Sequence, residues 1–363
     1  YLFNILEENV VFLNKVIQET DKLLSYKLKK NILSRYRKLT GQHARYFTFV
    51  GPQPKTLNQK SIMLNNPGSI IIDYAVTEKA DGLRYQLFVF NNNGYLINNK
   101  EHVIDTGCHF KYLTGDWIID GEYITKDKYN QPINQFMAFD VYWCGLKNIP
   151  QPAHTYPFLA RDPLDDGCRY NFLKEFEKLV TEKRNIDFKP AIEKMNETNT
   201  SILWKQKLEE KGLNTDSIVT QELKQEYLKL LSNEIDEPII NYSDNSITIG
   251  VKEYEFGYQS ESNVDKVNIS DLNKYDLNKI FSVSKSILKK DEEDHFNYRI
   301  DGLIYLPTRL SVNGTIEGFQ SKKIYGTWPL NYKWKPPEEN TIDFKIKIKK
   351  DLVDGNVIHK EFP

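Results

Sequence analysis

From Tyr46 to Thr125 the chain is a succession of short β-type runs, "SIIIDYAVTEKA", "LRYQLFVFNNNGYLINN" and "DWIIDGEYI", each broken by Gly, Asn or Asp. No other feature narrows the fold so far. Strands joined only by turns leave no room for crossover helices, so the sheet they build is mainly antiparallel. Asn91–Gly94 reads as a tight turn between Gln86–Phe90 and Tyr95–Ile97, and "QFMAFDVYW" at 135–143 as a further strand. Leu6, Val10, Val11, Leu13, Val16 and Ile17, then Leu23, Leu24, Leu28, Ile32 and Leu33, recur at helical spacing and predict one long helix or two short ones over 5–38. Residues 165–235 are helical in pattern and highly charged. Strand character returns at 246–258 and from 298 onward in "YRIDGLIYLP", "GFQSKKIY", "NYKWKPP" and "TIDFKIKIKK", with an exposed loop expected at 259–275. The class expected is α+β.

The 363 residues are enough for two domains or one large one. With 49 Lys+Arg against 50 Asp+Glu the net charge is -1, which excludes a histone-like wrapper and leaves room for a local basic groove. Cys108, Cys144 and Cys168 and the six histidines form no ligand-spaced cluster, so neither a disulfide framework nor a structural zinc site is expected. Cys108 and Cys144 read as small buried fillers. His102, His109, His154 and His295 receive no role. No apolar run reaches the roughly 18 residues of a membrane span, and no signal peptide opens the chain. A reducing, soluble compartment is expected, and the start at Tyr1 points to a piece of something longer.

Glu78-Lys79-Ala80-Asp81-Gly82-Leu83-Arg84 is the most informative stretch. Lys79 follows a predicted strand, Asp81-Gly82 makes a tight turn, and Arg84 lies just past it, an arrangement suited to attack on a phosphate. A solvated lysine on a surface turn is the plain alternative. Asp120-Gly121-Glu122 ends another strand and offers a carboxylate to a ribose hydroxyl or a metal, although Asp120 could simply cap a turn. Phe139-Asp140 sits in an apolar strand; its ring could stack on a base or fill the core. Asp301-Gly302-Leu303-Ile304 repeats the acid-glycine-apolar theme. Lys333 and Lys335 alternate around Trp334, so both amines leave one face of a strand. Tyr298-Arg299 reads as sheet surface. Lys345, Lys347, Lys349 and Lys350 form either an RNA-facing stripe or a lysine-protected edge strand.

In this order the motifs resemble those of the covalent nucleotidyltransferases: DNA ligases, RNA ligases and GTP:RNA guanylyltransferases. Lys79–Arg84 is similar to motif I, Asp120-Gly121-Glu122 to motif III and Phe139-Asp140 to motif IIIa. Asp301–Ile304 is similar to motif IV and Lys333-Trp334-Lys335-Pro336 to motif V, so the resemblance spans about 46–345. "FVGPQPKTL" at 49–57, "KWKPPEENTIDF" at 333–344, "VKEYEFG" at 251–257 and "IDGLIY" favour capping enzymes, particularly the multifunctional ones of large cytoplasmic DNA viruses of the poxvirus and African swine fever virus type. The implied fold is an ATP-grasp-like ligase/guanylyltransferase core of antiparallel sheets with flanking helices. The implied organisation is an N-terminal helical segment at 1–45 (a linker or packing surface to an upstream module), a nucleotidyltransferase domain at 46–345 with a helical and looped insertion around 165–290, and a terminal stretch at 346–363. The family follows motif V with an oligonucleotide-binding-type barrel carrying motif VI. Only 28 residues follow Lys335, so that barrel is expected to be missing from this chain.

The resemblance implies that Lys79 attacks the α-phosphorus of GTP, releases pyrophosphate and carries GMP to the 5′-diphosphate end of RNA. A free lysine titrates near 10.4, and the cations of Arg84, Lys333 and Lys335 would disfavour the ammonium form. Lys333 and Lys335 are expected to meet charge on the α-phosphate. Glu122 and Arg84 are expected on the ribose, Phe139 on the base, and Thr56 and Lys55 near the base or ribose edge. Mg²⁺ or Mn²⁺ is the expected ion, with Asp301 and then Glu122 as its carboxylates. An upstream RNA triphosphatase and a downstream methyltransferase are implied partners, no membrane is, and host cytoplasm or virion follows if the source is viral. An ATP-dependent ligase and a catalytically silent nucleotide- or RNA-binding domain remain open alternatives.

Overall fold

A computed structural model describes residues 24–42, 47–110, 113, 115–145, 152–160, 167–181, 240–242, 247–260, 276–321, 323–339, 350–353 and 356–359. Along these the strands are β1 (Gln53–Thr56), β2 (Tyr74–Ala80), β3 (Leu83–Phe90), β4 (Asn93–Ile97), β5 (Val103–Phe110), β6 (Trp117–Lys126) and β7 (Pro132–Trp143). They continue as β8 (Ile240–Tyr242), β9 (Thr248–Val251), β10 (Glu255–Phe256), β11 (Ile300–Pro307), β12 (Thr327–Trp334), β13 (Lys350–Val353) and β14 (Asn356–His359). Three helices join them: α1 (Tyr26–Leu39), α2 (Arg169–Thr181) and α3 (Lys279–Glu292).

The strands form a seven-stranded sheet in the order β8-β5-β4-β3-β6-β7-β9, a five-stranded sheet in the order β1-β12-β11-β2-β10, and the hairpin β13-β14. Most pairs are antiparallel, as the turn-rich sequence requires. The exceptions are β1 with β12 and β7 with β9, whose strands are far apart in the chain and so are free of the hairpin constraint. The β3–β4 turn is made by Asn91 and Asn92, both with positive φ (50° and 63°), a conformation asparagine tolerates better than most residues.

Alternation along β3 sorts its side chains to two cores. Leu87 and Val89 join Ile119, Ala138, Leu306 and Trp328 in one core, to which α2 adds Leu173 and Phe176. Phe88 faces the other way, where Ile32, Leu33 and Tyr36 of α1 cover it. Ser25 caps α1, its hydroxyl accepting from the Leu28 amide at 3.2 Å. The outer face of the five-stranded sheet is covered by Ile280 and Ile287 of α3, packed on Val76 and Leu303. Cys108, Cys144 and Cys168 are all buried.

Several sequence expectations differ from this fold. "GFQSKKIY" forms no strand: Phe319 and Tyr325 are exposed, and Gly318 and Gly326 take positive φ at either side. α3 was not expected, although Ile280, Val283 and Ile287 carry helical spacing. Asp120-Gly121-Glu122 lies within β6 rather than at its end; Gly121 is there because a Cβ would stand 2.3 Å from the Phe136 ring. Lys79 is inside β2, one residue before its end. Tyr298 is buried at 3% exposure, not on the sheet surface. The described parts of 165–290 include β8, β9 and β10, which edge both sheets. The parts of the expected helical patterns at 5–23 and 182–235, the loop at 261–275 and Lys345, Lys347 and Lys349 lie outside the described residues. No helix among the described residues is long and apolar enough to cross a membrane.

Candidate active site

The turn Asp81-Gly82 carries the chain from one sheet to the other, so Lys79 (β2) and Arg84 (β3) stand on opposite sheets across a cleft. The cleft opens to solvent, and Lys79, Arg84, Glu122, Phe139, Lys252, Asn331 and Lys333 all line it.

On the five-stranded side, β11 bulges against β2 between Ile300 and Leu303. Gly302 sits in the bulge with φ +146°, and a Cβ there would lie 2.0 Å from the Trp334 carbonyl oxygen. Glycine therefore allows the end of β12 to run hard against β11. The result is that Asp301 Oδ1 accepts from Lys79 Nζ at 2.6 Å, while Oδ2 accepts from Lys335 Nζ at 2.6 Å. Burial works to raise the pKa of Asp301, but the hydrogen bonds from Lys335 and Lys79 outweigh it and hold the carboxyl below its usual range. Lys333, two residues before Lys335, faces the cleft, and Trp334 packs the other way into the α3 core.

On the seven-stranded side, Arg84 is clamped. Its Nη2 donates to Asp120 Oδ2 at 2.5 Å, its Nε to Oδ1 at 3.2 Å and its Nη1 to the Pro52 carbonyl at 3.0 Å. Tyr142 also donates to Asp120 Oδ2, at 2.6 Å. Asp120 has no exposure at all, so it neither caps a turn nor offers an open carboxylate. Burial opposes the charge on Arg84, yet Asp120 outweighs it and raises the guanidinium further above its ordinary value. Gly51, at φ +105°, admits this arrangement, since a Cβ would lie 2.6 Å from Arg84 Nη2.

Glu122 is the open carboxylate of the motif. It makes no hydrogen bond among the described residues, and burial raises its pKa against the pull of Lys252, Lys79 and Arg84. Phe139 turns its half-buried ring to the cleft, while Asp140 beside it is buried on Arg169 Nε at 2.8 Å. Lys55 and Thr56 are exposed and do not line the cleft, although Thr56 pairs with Lys333 in the β1–β12 ladder; Pro52, Gln53 and Pro54 form this part of the wall.

The sequence reading missed Lys252 and Asn331. Lys252 is 4% exposed, its ammonium donating to the Glu78 carbonyl at 3.0 Å and standing 5.7 Å from the centroid of the Phe139 ring. The Glu78 carboxylate beneath it accepts from Tyr298 at 2.8 Å and from Thr77 at 2.7 Å. A single lysine in "VKEYEFG", among residues of strand character, was the available signal. Asn331 shares a strand face with Lys333, and its Oδ1 is buried with no hydrogen-bond partner among the described residues. No group of three or more His, Cys, Asp or Glu side chains gathers as a metal site among the described residues. A divalent ion that keeps its waters and binds phosphate needs only one or two carboxylates. Glu122 is free for that; Asp301 already serves two ammonium groups.

No family model matches the chain. It is 24% identical over 367 aligned positions, covering 98% of this chain, to a protein of Acanthamoeba polyphaga mimivirus described as "Probable mRNA-capping enzyme". The chain spans about a quarter (26%) of that relative's length. Among solved structures, a mycobacterial DNA ligase D complexed with ATP and MES matches at 10% identity over 80% of this chain and 62% of its own, with a TM-score of 0.32. Pmar-Lig_PreS3 matches at 12% identity over 86% and 51%, with a TM-score of 0.30. Neither score carries a fold assignment. The resemblance read from the motifs thus meets its counterpart in sequence: along nearly its whole length, this chain is similar to part of a viral protein described as an mRNA-capping enzyme.

Proposed function

We propose that the chain is an mRNA guanylyltransferase domain that forms a lysyl-GMP adduct on Lys79 and passes GMP to the 5′-diphosphate end of RNA. One observation carries the reading: Lys79 lines the cleft between the two sheets with Lys333, while Asp301 holds its amine beside that of Lys335. A lysine placed only for solubility needs neither a buried carboxylate nor two flanking cations.

In the first step the neutral Lys79 amine bonds to the α-phosphorus of GTP, the bond to the bridging oxygen breaks, and pyrophosphate leaves. Asp301 Oδ1, at 2.6 Å, is the base in reach of the Lys79 proton. Lys333 and Lys335 meet the negative charge that builds on the phosphate. In the second step a terminal phosphate oxygen of the RNA displaces Lys79 and the P–N bond breaks. A divalent ion, held by Glu122 and the phosphates with Asp301 as a second carboxylate, would supply charge neutralisation on the triphosphate.

Preference for guanine rests on Lys252. A base stacked on Phe139 would present its edge to this ammonium. Guanine offers O6 and N7 as acceptors, whereas adenine places an N6 donor where guanine has O6. The buried Glu78 carboxylate, its carbonyl and Tyr298 keep the cation in place.

The test is labelling with α-labelled GTP or ATP and a divalent ion, with Lys79→Ala alongside. Acid-labile label from GTP alone, lost in the variant, supports the proposal. Label from ATP moves the assignment to an adenylyltransferase of ligase type. No label from either, also with a C-terminally extended chain, supports a silent binding domain.

A further inference from the structure

Six of the fourteen residues of α1 are basic and none is acidic: Lys27, Lys29, Lys30, Arg35, Arg37 and Lys38. In a chain of net charge -1 this is a local concentration. Packing uses part of it. Arg35 pairs with Asp116 at 2.5 Å and Arg37 with Glu101 at 2.6 Å, at the two flanks of the buried Ile32–Tyr36 stripe. Lys27, Lys30 and Lys38 remain exposed, with no hydrogen bond or ion pair among the described residues.

Helical spacing sets these three lysines along one outer ridge with Ser34, and at 1.5 Å per residue the ridge runs about 16 Å. Tyr26, at 81% exposure, heads it. Cations that match phosphates beside an open aromatic face that accepts any base are the two features single-stranded nucleic-acid surfaces combine. A merely solvated helix face requires no ring there.

The inner side of α1 is tied to the cleft. Tyr36 Oη accepts from the Val50 amide at 3.4 Å and donates to Gln86 Oε1 at 2.6 Å. Two residues beyond Val50, Pro52 begins the wall that Pro54 completes.

We propose that the α1 ridge binds single-stranded RNA behind its 5′ end, through backbone phosphates and one stacked base, without reading sequence. The identity of the strand as the GMP acceptor rests on the guanylyltransferase reading; the surface itself is tested without it.

The experiment compares the full chain with Lys27→Gln/Lys30→Gln/Lys38→Gln, with Tyr26→Ala, and with a charge-matched control on α3, Lys279→Gln/Lys285→Gln/Lys289→Gln. Binding of a ten-nucleotide 5′-diphosphate RNA is followed by fluorescence anisotropy across salt, and GMP labelling of Lys79 is followed separately. Each lost phosphate contact flattens the slope of log affinity on log salt by about 0.7, so the α1 triple variant should lose about 2 from the slope and at least tenfold in affinity. Tyr26→Ala should lose about fivefold or more. Labelling should stay within twofold. Unchanged RNA affinity and slope in the α1 variants, or an equal loss in the α3 control, would overturn the proposal; the first result would leave the ridge to an acidic protein partner. If the wild type binds RNA through α1 but takes no label from GTP, the function reading fails and the surface stands.

Discussion

Lys79 Nζ stands 2.6 Å from one oxygen of Asp301, and the other oxygen of that carboxylate stands 2.6 Å from Lys335 Nζ. The candidate nucleophile is thus held by an anion as well as flanked by cations, and the anion reaches it only because Gly302 lets β11 bulge. The same carboxylate fixes the amine's direction and, in the proposed reaction, accepts its proton.

Asp301→Asn should therefore lower the rate of adduct formation by roughly a hundredfold, the range typical of a lost proton acceptor, with the protein still folded. Stability supplies a second reading. The folded-state pKa of Asp301 lies below its ordinary value, so its stabilisation is present above the unfolded value of about 3.9 and fades as pH falls through the lower folded value. The Tm gap between wild type and Asp301→Asn should hold steady from about pH 5 to 8 and close below about pH 4. A gap that widens in acid would sink this account.

Arg84 and Asp120 make a structural prediction. Replacing Arg84 by Met leaves Asp120 wholly buried, with Tyr142 as its one remaining side-chain donor among the contacts above. Removing one partner of a buried pair costs about 3–5 kcal/mol, and the partial exposure of Arg84 puts the expectation at the lower end. Thermal unfolding should fall by several degrees, and more than in Asp120→Asn/Arg84→Met. Equal Tm values for wild type and Arg84→Met would show that the clamp is not needed for the fold.

The strand grammar is legible because it is local: alternation and turn residues are written within ten residues of one another. Lys79, Asp301, Lys333 and Lys335 were legible only through the order of their short motifs along the chain and the family those motifs resemble. What could not be read was partnership across the two sheets. Asp120 resembled an open acid and proves to be buried under Arg84 and Tyr142; that Asp301 joins Lys79 to Lys335 shows only once β11 lies between β2 and β12. Lys55 and Thr56 lay in a suggestive segment, but they are exposed and it is Pro52, Gln53 and Pro54 that line the cleft. Lys252 carries only the weak local mark of a single lysine among residues of strand character; what ties it to the cleft is its contact with Phe139 and Glu78, more than a hundred residues away in the chain.

Lys252→Met tests the choice of base. The buried ammonium is lost while Tyr298 and Thr77 still donate to Glu78. A good acceptor contact to guanine is worth about 1–3 kcal/mol of discrimination, so the GTP-to-ATP labelling ratio should fall roughly tenfold to a hundredfold. The fall should come mainly from weaker GTP use. An unchanged ratio would place the selectivity elsewhere in the cleft.

Asn331 gives the prediction with opposite signs in two measurements. Its buried oxygen has no hydrogen-bond partner among the described residues and lies in the cleft wall on the face of β12 that also presents Lys333. An unsatisfied buried acceptor costs about 1–3 kcal/mol, and an apolar group of similar shape removes that cost. Such an oxygen is worth keeping if a nucleotide hydroxyl or amino group donates to it. Asn331→Leu should raise the Tm by about 2–4 °C and raise the KM for GTP roughly threefold to tenfold, with little change in kcat. Inosine and 2′-deoxyguanosine triphosphates identify the donor: the analogue lacking it should already bind weakly to wild type and lose nothing further in the variant. A lowered Tm with an unchanged KM would mean that Asn331 serves the fold and not the nucleotide.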